Sequence, residues 1–172
     1  MIELRRAEPD DVDFLVELAN DADVDAHLRP RRPRTREEVA AEIERSQAEP
    51  DRFGRLVIWF EGNRAGVLGY ELVSEQHRIA QLEALAVHPD FRGRKLSDEA
   101  ARMLQRHLIF ERGFHRLQLE IYGFNERAQR HAERSGFVRE GVKRKAHRRD
   151  GQWHDSVLFG LVREDLDEPP SS

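Results

Sequence analysis

A single carboxylate interrupts an otherwise apolar run in the middle of the chain, at Glu83 between Leu82 and Ala84. A carboxylate in this setting is a candidate general base, because it can take a proton from a reacting group. The plainer explanation is that a charged residue alternates away from the apolar face of a strand. Both interpretations stay open at this point, and we carry Glu83 forward as the candidate base.

A cationic loop follows this run and opens a helix, with the sequence Arg92-Gly93-Arg94-Lys95-Leu96-Ser97. A loop that leads from a strand into a helix presents unpaired backbone amides and the positive end of the helix dipole, which together suit a pyrophosphate. Arg92, Arg94 and Lys95 add positive charge at the same place. Ser97 is small, and we expect it to cap the helix.

The composition narrows the classes of protein that this chain can belong to. A length of 172 residues fits one domain. The absence of cysteine excludes disulfides and a thiolate nucleophile, and the eight histidines form no recognisable ligand motif, so we predict no metal site. A net charge of −4 argues against a nucleic-acid partner, because proteins that bind nucleic acid are usually basic. No apolar run approaches the ~20 residues of a membrane span, and we expect a cytoplasmic protein.

Apolar periodicity, prolines and glycines predict the element order βααβββαβαββ. We expect strands near residues 2–6, 56–60, 65–73, 79–87, 117–121, 138–146 and 153–162, and helices near 11–19, 36–47, 97–112 and 125–135. Thr35 and Glu38 form a capping box at the second helix, and Asp150-Gly151 is a hairpin turn. This order predicts one mixed α/β domain over residues 1–166, with helices on both faces of a central sheet, and a disordered tail at 167–172.

Residues 82–137 resemble the GNAT superfamily of N-acetyltransferases. The resemblance rests on three segments, Leu85-Ala-Val-His-Pro-Asp-Phe-Arg-Gly-Arg-Lys-Leu-Ser-Asp-Glu-Ala100, Asn125-Glu-Arg-Ala128 and Glu133-Arg-Ser-Gly-Phe137. The chain looks closest to the ribosomal-protein-alanine acetyltransferase branch. The resemblance implies a mostly antiparallel sheet of about seven strands, in which two parallel strands splay apart and leave a slot. It also implies an acyl-CoA-dependent N-acyltransferase, in which a primary amine attacks the thioester of acetyl-CoA directly, without a metal.

The resemblance assigns roles to particular residues of this chain. It implies that Glu83 is the base and that a backbone amide near Ala86 or Val87 stabilises the oxyanion. Because Ala132 stands where many members carry a tyrosine acid, the proton for the thiolate would come from Tyr122, Ser135 or water. We expect His154 and Asp155 to line the acceptor pocket. The residues expected to bind the donor are Leu85, Ala86, Val87, Arg92, Gly93, Arg94, Lys95, Leu96, Ser97 and Asn125.

One departure from the family pattern leaves alternatives open. Lys95 stands where the donor loop of the family has its first glycine. The lysine either pairs with the pyrophosphate, or weakens donor binding, or indicates a different donor. The rival hypotheses are therefore a non-catalytic CoA-binding module and an acyltransferase that uses another acyl-CoA or an aminoacyl-tRNA. Asn125 either binds the pantetheine arm of the donor or only caps the helix after it.

The acceptor and the oligomeric state are not fixed by the sequence. Three aspartates, Asp21, Asp23 and Asp25, favour a cationic acceptor, whereas the arginines at 29, 31, 32 and 34 favour an anionic one. These signals conflict, so the acceptor amine stays open between a small molecule and a protein N-terminus. A homodimer is possible, and we expect no membrane partner.

Overall fold

One sheet of seven strands organises the fold. The computed structural model describes residues 1–22 and 33–167. The strands are β1 (Ile2–Arg6), β2 (Phe53–Phe60), β3 (Asn63–Ser74), β4 (Ile79–Val87), β5 (Arg116–Tyr122), β6 (Val138–Arg149) and β7 (Gln152–Val162). The helices are α1 (Val12–Ala19), α2 (Arg36–Ala48), α3 (Leu96–Arg106) and α4 (Glu126–Arg134).

Helices cover both faces of this sheet, as the sequence predicted. Strand β2 shows why, because its side chains alternate between two hydrophobic clusters. Leu56 and Ile58 belong to the larger cluster, which includes Leu104 of α3. Val57 belongs to a smaller cluster with Ile43 of α2. The sheet therefore separates α1 and α2 from α3.

The sheet is antiparallel except at one place. Its strand order is β1-β2-β3-β4-β5-β7-β6, and only β4 and β5 run parallel. Their pairing covers three rows, of which Gln81 with Gln118 is the last. Beyond that row β4 continues to pair with β3, and β5 continues to pair with β7. The predicted mixed sheet with splayed parallel strands is confirmed.

The third helix differs in detail from its predicted span. The α-helix ends at Arg106, and one π-helical turn, His107–Glu111, extends it. The adjacent residues Leu108 and Ile109 in this turn are both fully buried. The capping box of α2 is confirmed, since the Thr35 hydroxyl accepts from the Glu38 amide and the Glu38 carboxylate accepts from Thr35.

Two predictions fall largely outside the described residues. These are the disordered tail, of which only Asp167 is described, and the charged segment that contains Asp23, Asp25 and the arginines at 29, 31 and 32. Within residues 1–22 and 33–167, no helix is both long and apolar enough to span a membrane.

Replacement of Gly54 by alanine should destabilise the fold. A Cβ at this position of β2 would overlap the ring of Tyr70, which is fully buried on the neighbouring strand. Overpacking of this kind costs about 1–3 kcal/mol. We expect Gly54→Ala to lower the free energy of unfolding by that amount, as measured by urea denaturation. The matched control is Gly141→Ala, because a Cβ on Gly141 meets nothing within 4 Å. Equal stability of the two variants would contradict this account of the core.

Candidate active site

A cleft of about 570 Å³ opens where β4 and β5 separate. It continues between the N-terminal end of α3 and helix α4. Eleven of the residues predicted from the sequence line it, namely Glu83, Leu85, Ala86, Val87, Arg92, Gly93, Lys95, Leu96, Ser97, Asn125 and Ser135. Four others, Arg94, Tyr122, His154 and Asp155, lie outside its lining.

A β-bulge in β4 shapes the strand edge that borders the cleft. Gly69 of β3 pairs with Glu83 and Val67 pairs with Ala86, so Ala84 and Leu85 together oppose a single residue of β3. Ala84 takes up the extra length with a φ of 57°. A bulge turns backbone groups away from the regular ladder. Because the pairing with β5 ends at Gln81, the other edge of β4 borders the cleft over residues 82–87.

The donor loop places Lys95 in a backbone conformation that favours glycine. Lys95 is the N-cap of α3 and has φ 59° and ψ 19°, which is the left-handed region. This conformation costs a residue with a Cβ about 1–2 kcal/mol. The lysine nevertheless reproduces the local geometry that a glycine would give, and it lines the cleft. Ser97 lies inside the first turn and does not cap the helix, which corrects the sequence prediction.

The two arginines of the loop have different surroundings. Arg92 lines the cleft, and its Nε donates to the carbonyl of Val87 at 3.2 Å, which fixes the loop to the end of β4. The Arg94 guanidinium lies over the rings of Phe60 and Phe91, with centroid distances of 5.6 and 5.9 Å. A pyrophosphate contact by the Arg94 side chain stays a prediction.

Asn125 and the α3–α4 link define the opposite wall. The Asn125 side chain accepts from the Ala128 amide at 3.1 Å, so the predicted capping role is confirmed. Asp98 of α3 contacts His131 at 2.6 Å and Arg134 at 3.3 Å, both on α4. Burial lowers the pKa of His131, although the bond to Asp98 opposes it. Burial raises the pKa of Asp98, but its bonds to Arg134 and His131 outweigh burial and lower it overall.

Glu83 reaches the cleft from the face of the sheet that α2 covers. Leu82, the preceding residue, is buried in the cluster on the α3 face, and successive strand residues alternate. The Glu83 Oε1 lies 2.8 Å from Nη1 of Arg55, whose side chain is only 6% exposed. The candidate base is therefore anchored by a buried cation, a partner that sequence reasoning missed.

A second carboxylate, Glu120 of β5, also lines the cleft and was missed by the sequence analysis. Its signal was present, since the tripeptide Gln-Leu-Glu occurs as residues 81–83 and again as 118–120. The pairing of Gln81 with Gln118 puts the two copies in register. Glu83 and Glu120 therefore stand at the same level and on the same face of two diverging strands.

Cationic and polar groups surround Glu120. Lys143 Nζ donates to its Oε1 at 2.6 Å, and the Ser156 hydroxyl donates to its Oε2 at 3.3 Å. Burial raises the pKa of Glu120, but the bonds and charges of Lys143, Ser156 and His147 outweigh burial and lower it overall. Glu120 is therefore an anion at neutral pH.

The remaining predicted residues form a cluster near the β6–β7 hairpin. Tyr122 stacks on Phe124 with ring centroids 5.1 Å apart, and Phe124 meets His154 edge-on at 4.9 Å. The Asp155 carboxylate accepts from the backbone amide of Lys145 at 2.9 Å. The roles of Tyr122, His154 and Asp155 stay predictions. In the described part of the chain, no group of three or more potential metal ligands comes together.

Comparison with known proteins identifies the family. The model of the acetyltransferase (GNAT) domain matches residues 2–138. A prophage-derived, uncharacterised N-acetyltransferase of Bacillus subtilis, YokL, is 25% identical over 167 residues, which cover 95% of this chain and 91% of that protein.

Solved structures share the fold along nearly the whole chain. A probable acetyltransferase superposes with a TM-score of 0.82 at 23% identity, covering 96% of this chain and 94% of its own. Spermidine N-acetyltransferase from Vibrio cholerae, in complex with CoA and spermine, gives 0.84 at 18% identity, covering 95% and 96%. RimL, a ribosomal alpha-N-protein acetyltransferase in complex with coenzyme A, gives 0.83 at 19% identity, covering 96% of each chain. With the family match over residues 2–138, this chain belongs to the GNAT family of acetyltransferases and is an acyl-CoA-dependent N-acyltransferase.

Proposed function

We propose that the protein transfers an acetyl group from acetyl-CoA to a primary amine by direct attack of the amine. The observation that carries this proposal is the unpaired slot between β4 and β5, which has the α3 N-terminus at one end and carboxylates from both strands along one face. The unpaired strand edges suit an extended donor arm, and the α3 N-terminus suits an anionic donor head. The carboxylates suit a cationic acceptor.

The donor fits the slot by three kinds of contact. The strand edge past the β4 bulge offers backbone groups to the amides of the pantetheine arm, as a neighbouring strand would. The first-turn amides of α3 face the donor loop and suit the pyrophosphate. Lys95 and Arg127, which both line the cleft, add positive charge for the phosphates. The similar fold of two proteins solved with coenzyme A supports this donor.

The amine must lose a proton before its nitrogen can attack the thioester carbon. Glu83 takes that proton, directly or through water, and the nitrogen adds to the thioester carbon to form a tetrahedral oxyanion, which collapses as the C–S bond breaks. A backbone amide near Ala86 or Val87 stabilises the oxyanion. The departing thiolate takes a proton from Tyr122, from Ser135, which lines the cleft, or from water. Glu120 attracts the acceptor ammonium to the same level of the slot, because its carboxylate is anionic at neutral pH.

The charges in the cleft indicate the chemical class of the acceptor but not the individual compound. Two carboxylates at one level of the slot favour a protonated primary amine, which supports a cationic acceptor over an anionic one. Two proteins of similar fold have known amine acceptors. One is the spermidine N-acetyltransferase, and the other is RimL, which acetylates the N-terminus of a ribosomal protein. We therefore propose a small polyamine or a protein N-terminus as acceptor, with His154 and Asp155 at the outer rim.

Glu83→Gln should slow the reaction without weakening donor binding. The amide cannot accept the proton, so kcat should fall by about 10²-fold or more. Steady-state kinetics with spermidine and with an alanine-initiated peptide would measure this fall, and calorimetry with acetyl-CoA would measure the dissociation constant. A loss of acetyl-CoA affinity equal to the loss of rate would show that Glu83 supports the donor site and is not the base.

Glu120→Gln should weaken acceptor binding. Loss of one charge contact to the ammonium should raise the KM for the amine by about tenfold, or about 1.4 kcal/mol, while kcat changes less. Glu140→Gln is the matched control, because Glu140 also forms an ion pair on this sheet, with Arg116, but does not line the cleft. An unchanged KM in Glu120→Gln would rule out its role at the acceptor site.

Lys95→Gly separates the side chain of the lysine from its backbone conformation. Removal of left-handed strain, offset by the chain entropy of glycine, should raise stability by up to about 1 kcal/mol. Loss of the ammonium should weaken acetyl-CoA binding several-fold, as measured by calorimetry. Binding by Lys95→Gly alone, and none by the natural protein, would mean that the lysine closes the loop to this donor.

A further inference from the structure

A buried arginine reaches Glu83 from two strands away. Arg55 of β2 pairs with Gly69 of β3, and Gly69 pairs with Glu83 of β4, so the three residues form one row across the sheet. The guanidinium passes over Gly69 to the carboxylate. A Cβ on Gly69 would overlap Nη1 of Arg55 and the carbonyl oxygen of Gly54, so only glycine leaves the passage open.

Arg55 is held on several sides. Its Nε donates to Glu42 of α2 at 3.0 Å, and its guanidinium lies 4.6 Å from the ring centroid of Phe53. Burial raises the pKa of Glu42, but its contacts with Arg55 and Arg34 outweigh burial and lower it overall, so this partner is anionic. The guanidinium therefore has little freedom to turn away from Glu83.

The same network extends to the segment that precedes α2. Glu42 also accepts from Arg34 at 2.6 Å. The backbone amide of Arg34 donates to the side chain of Asn20 at 2.7 Å. A chain of alternating charges thus connects the start of α2 with the carboxylate in the slot.

We propose that Arg55 is a positioning residue for the reaction and acts through Glu83. It fixes Oε1 of the carboxylate, so that Oε2 is the oxygen presented to the amine or its water. A base fixed in this way avoids the loss of rate that comes from misplacement by about 1 Å. This inference rests on the proposed function, in which Glu83 is the base.

A purely structural ion pair is the competing explanation, and a double-mutant cycle distinguishes the two. The cycle compares Arg55→Lys, Glu83→Gln and the double variant. Lysine keeps the charge but loses the planar fork that contacts both glutamates. If Arg55 acts through Glu83, Arg55→Lys should lower kcat roughly ten- to hundredfold in the natural background and should have no further effect in Glu83→Gln. The acetyl-CoA dissociation constant should not change.

Arg45→Lys is the matched control. Arg45 lies over the same Phe53 ring, at 4.3 Å, and also pairs with two glutamates, Glu49 and Glu71. It does not contact Glu83 and is half-exposed, so its replacement should leave kcat unchanged. Thermal unfolding of each variant reports whether the fold is retained. If Arg55→Lys does not fold, the pair Arg55→Gln with Glu42→Gln, which removes one charge of each sign, takes its place in the cycle.

The outcomes separate this inference from the function on which it rests. If Glu83→Gln alone is fully active, the assignment of the base fails. If Glu83→Gln is impaired and the effect of Arg55→Lys adds to it in full, the base stands and Arg55 has only a structural role. An Arg55→Lys variant with unchanged kcat also overturns the inference.

Discussion

The end of pairing between β4 and β5 is the constraint on which the site depends. After Gln81 and Gln118 each strand bonds only to its outer neighbour, so both inner edges carry backbone donors and acceptors with no partner strand. Such groups must find water or a ligand. A bulge at Ala84 follows directly after Glu83, and a bulge bends the strand that carries it. The fold thus forms a binding slot at the point where the hydrogen bonding between β4 and β5 ends.

At the donor end of the slot, Lys95 has an unfavourable backbone conformation at a position that borders the donor site. Lys95 keeps the left-handed conformation that the turn into α3 requires, although a side chain makes that conformation unfavourable. The surrounding structure holds it there, since Arg92 fixes the loop to Val87 and Asp98 ties α3 to α4. The geometry of the loop therefore survives the absence of the glycine, and a cation is gained where phosphates would lie.

The sequence predicted the fold and the donor loop better than the chemistry of the slot. Apolar periodicity gave the element order, and the loop from Arg92 to Ser97 is local, so its residues share the cleft except for Arg94. Glu120 and Arg55 were missed because their importance depends on register. Only the pairing of Gln81 with Gln118 aligns Glu120 with Glu83, and only the row through Gly69 brings Arg55 within reach. Strand register is a long-range property that no single segment contains.

The retention of Arg55 in the core argues for a role beyond stability. Removing a guanidinium from water is costly, and apolar replacements of buried ion pairs are often neutral or stabilising. Here the arrangement also requires glycine at position 69, which weakens a strand interior. If this row contributed only packing, aliphatic side chains in place of Arg55 and Glu83 would be sufficient. The arrangement does fix a carboxylate, because the guanidinium holds Glu83 at the point where the two strands part.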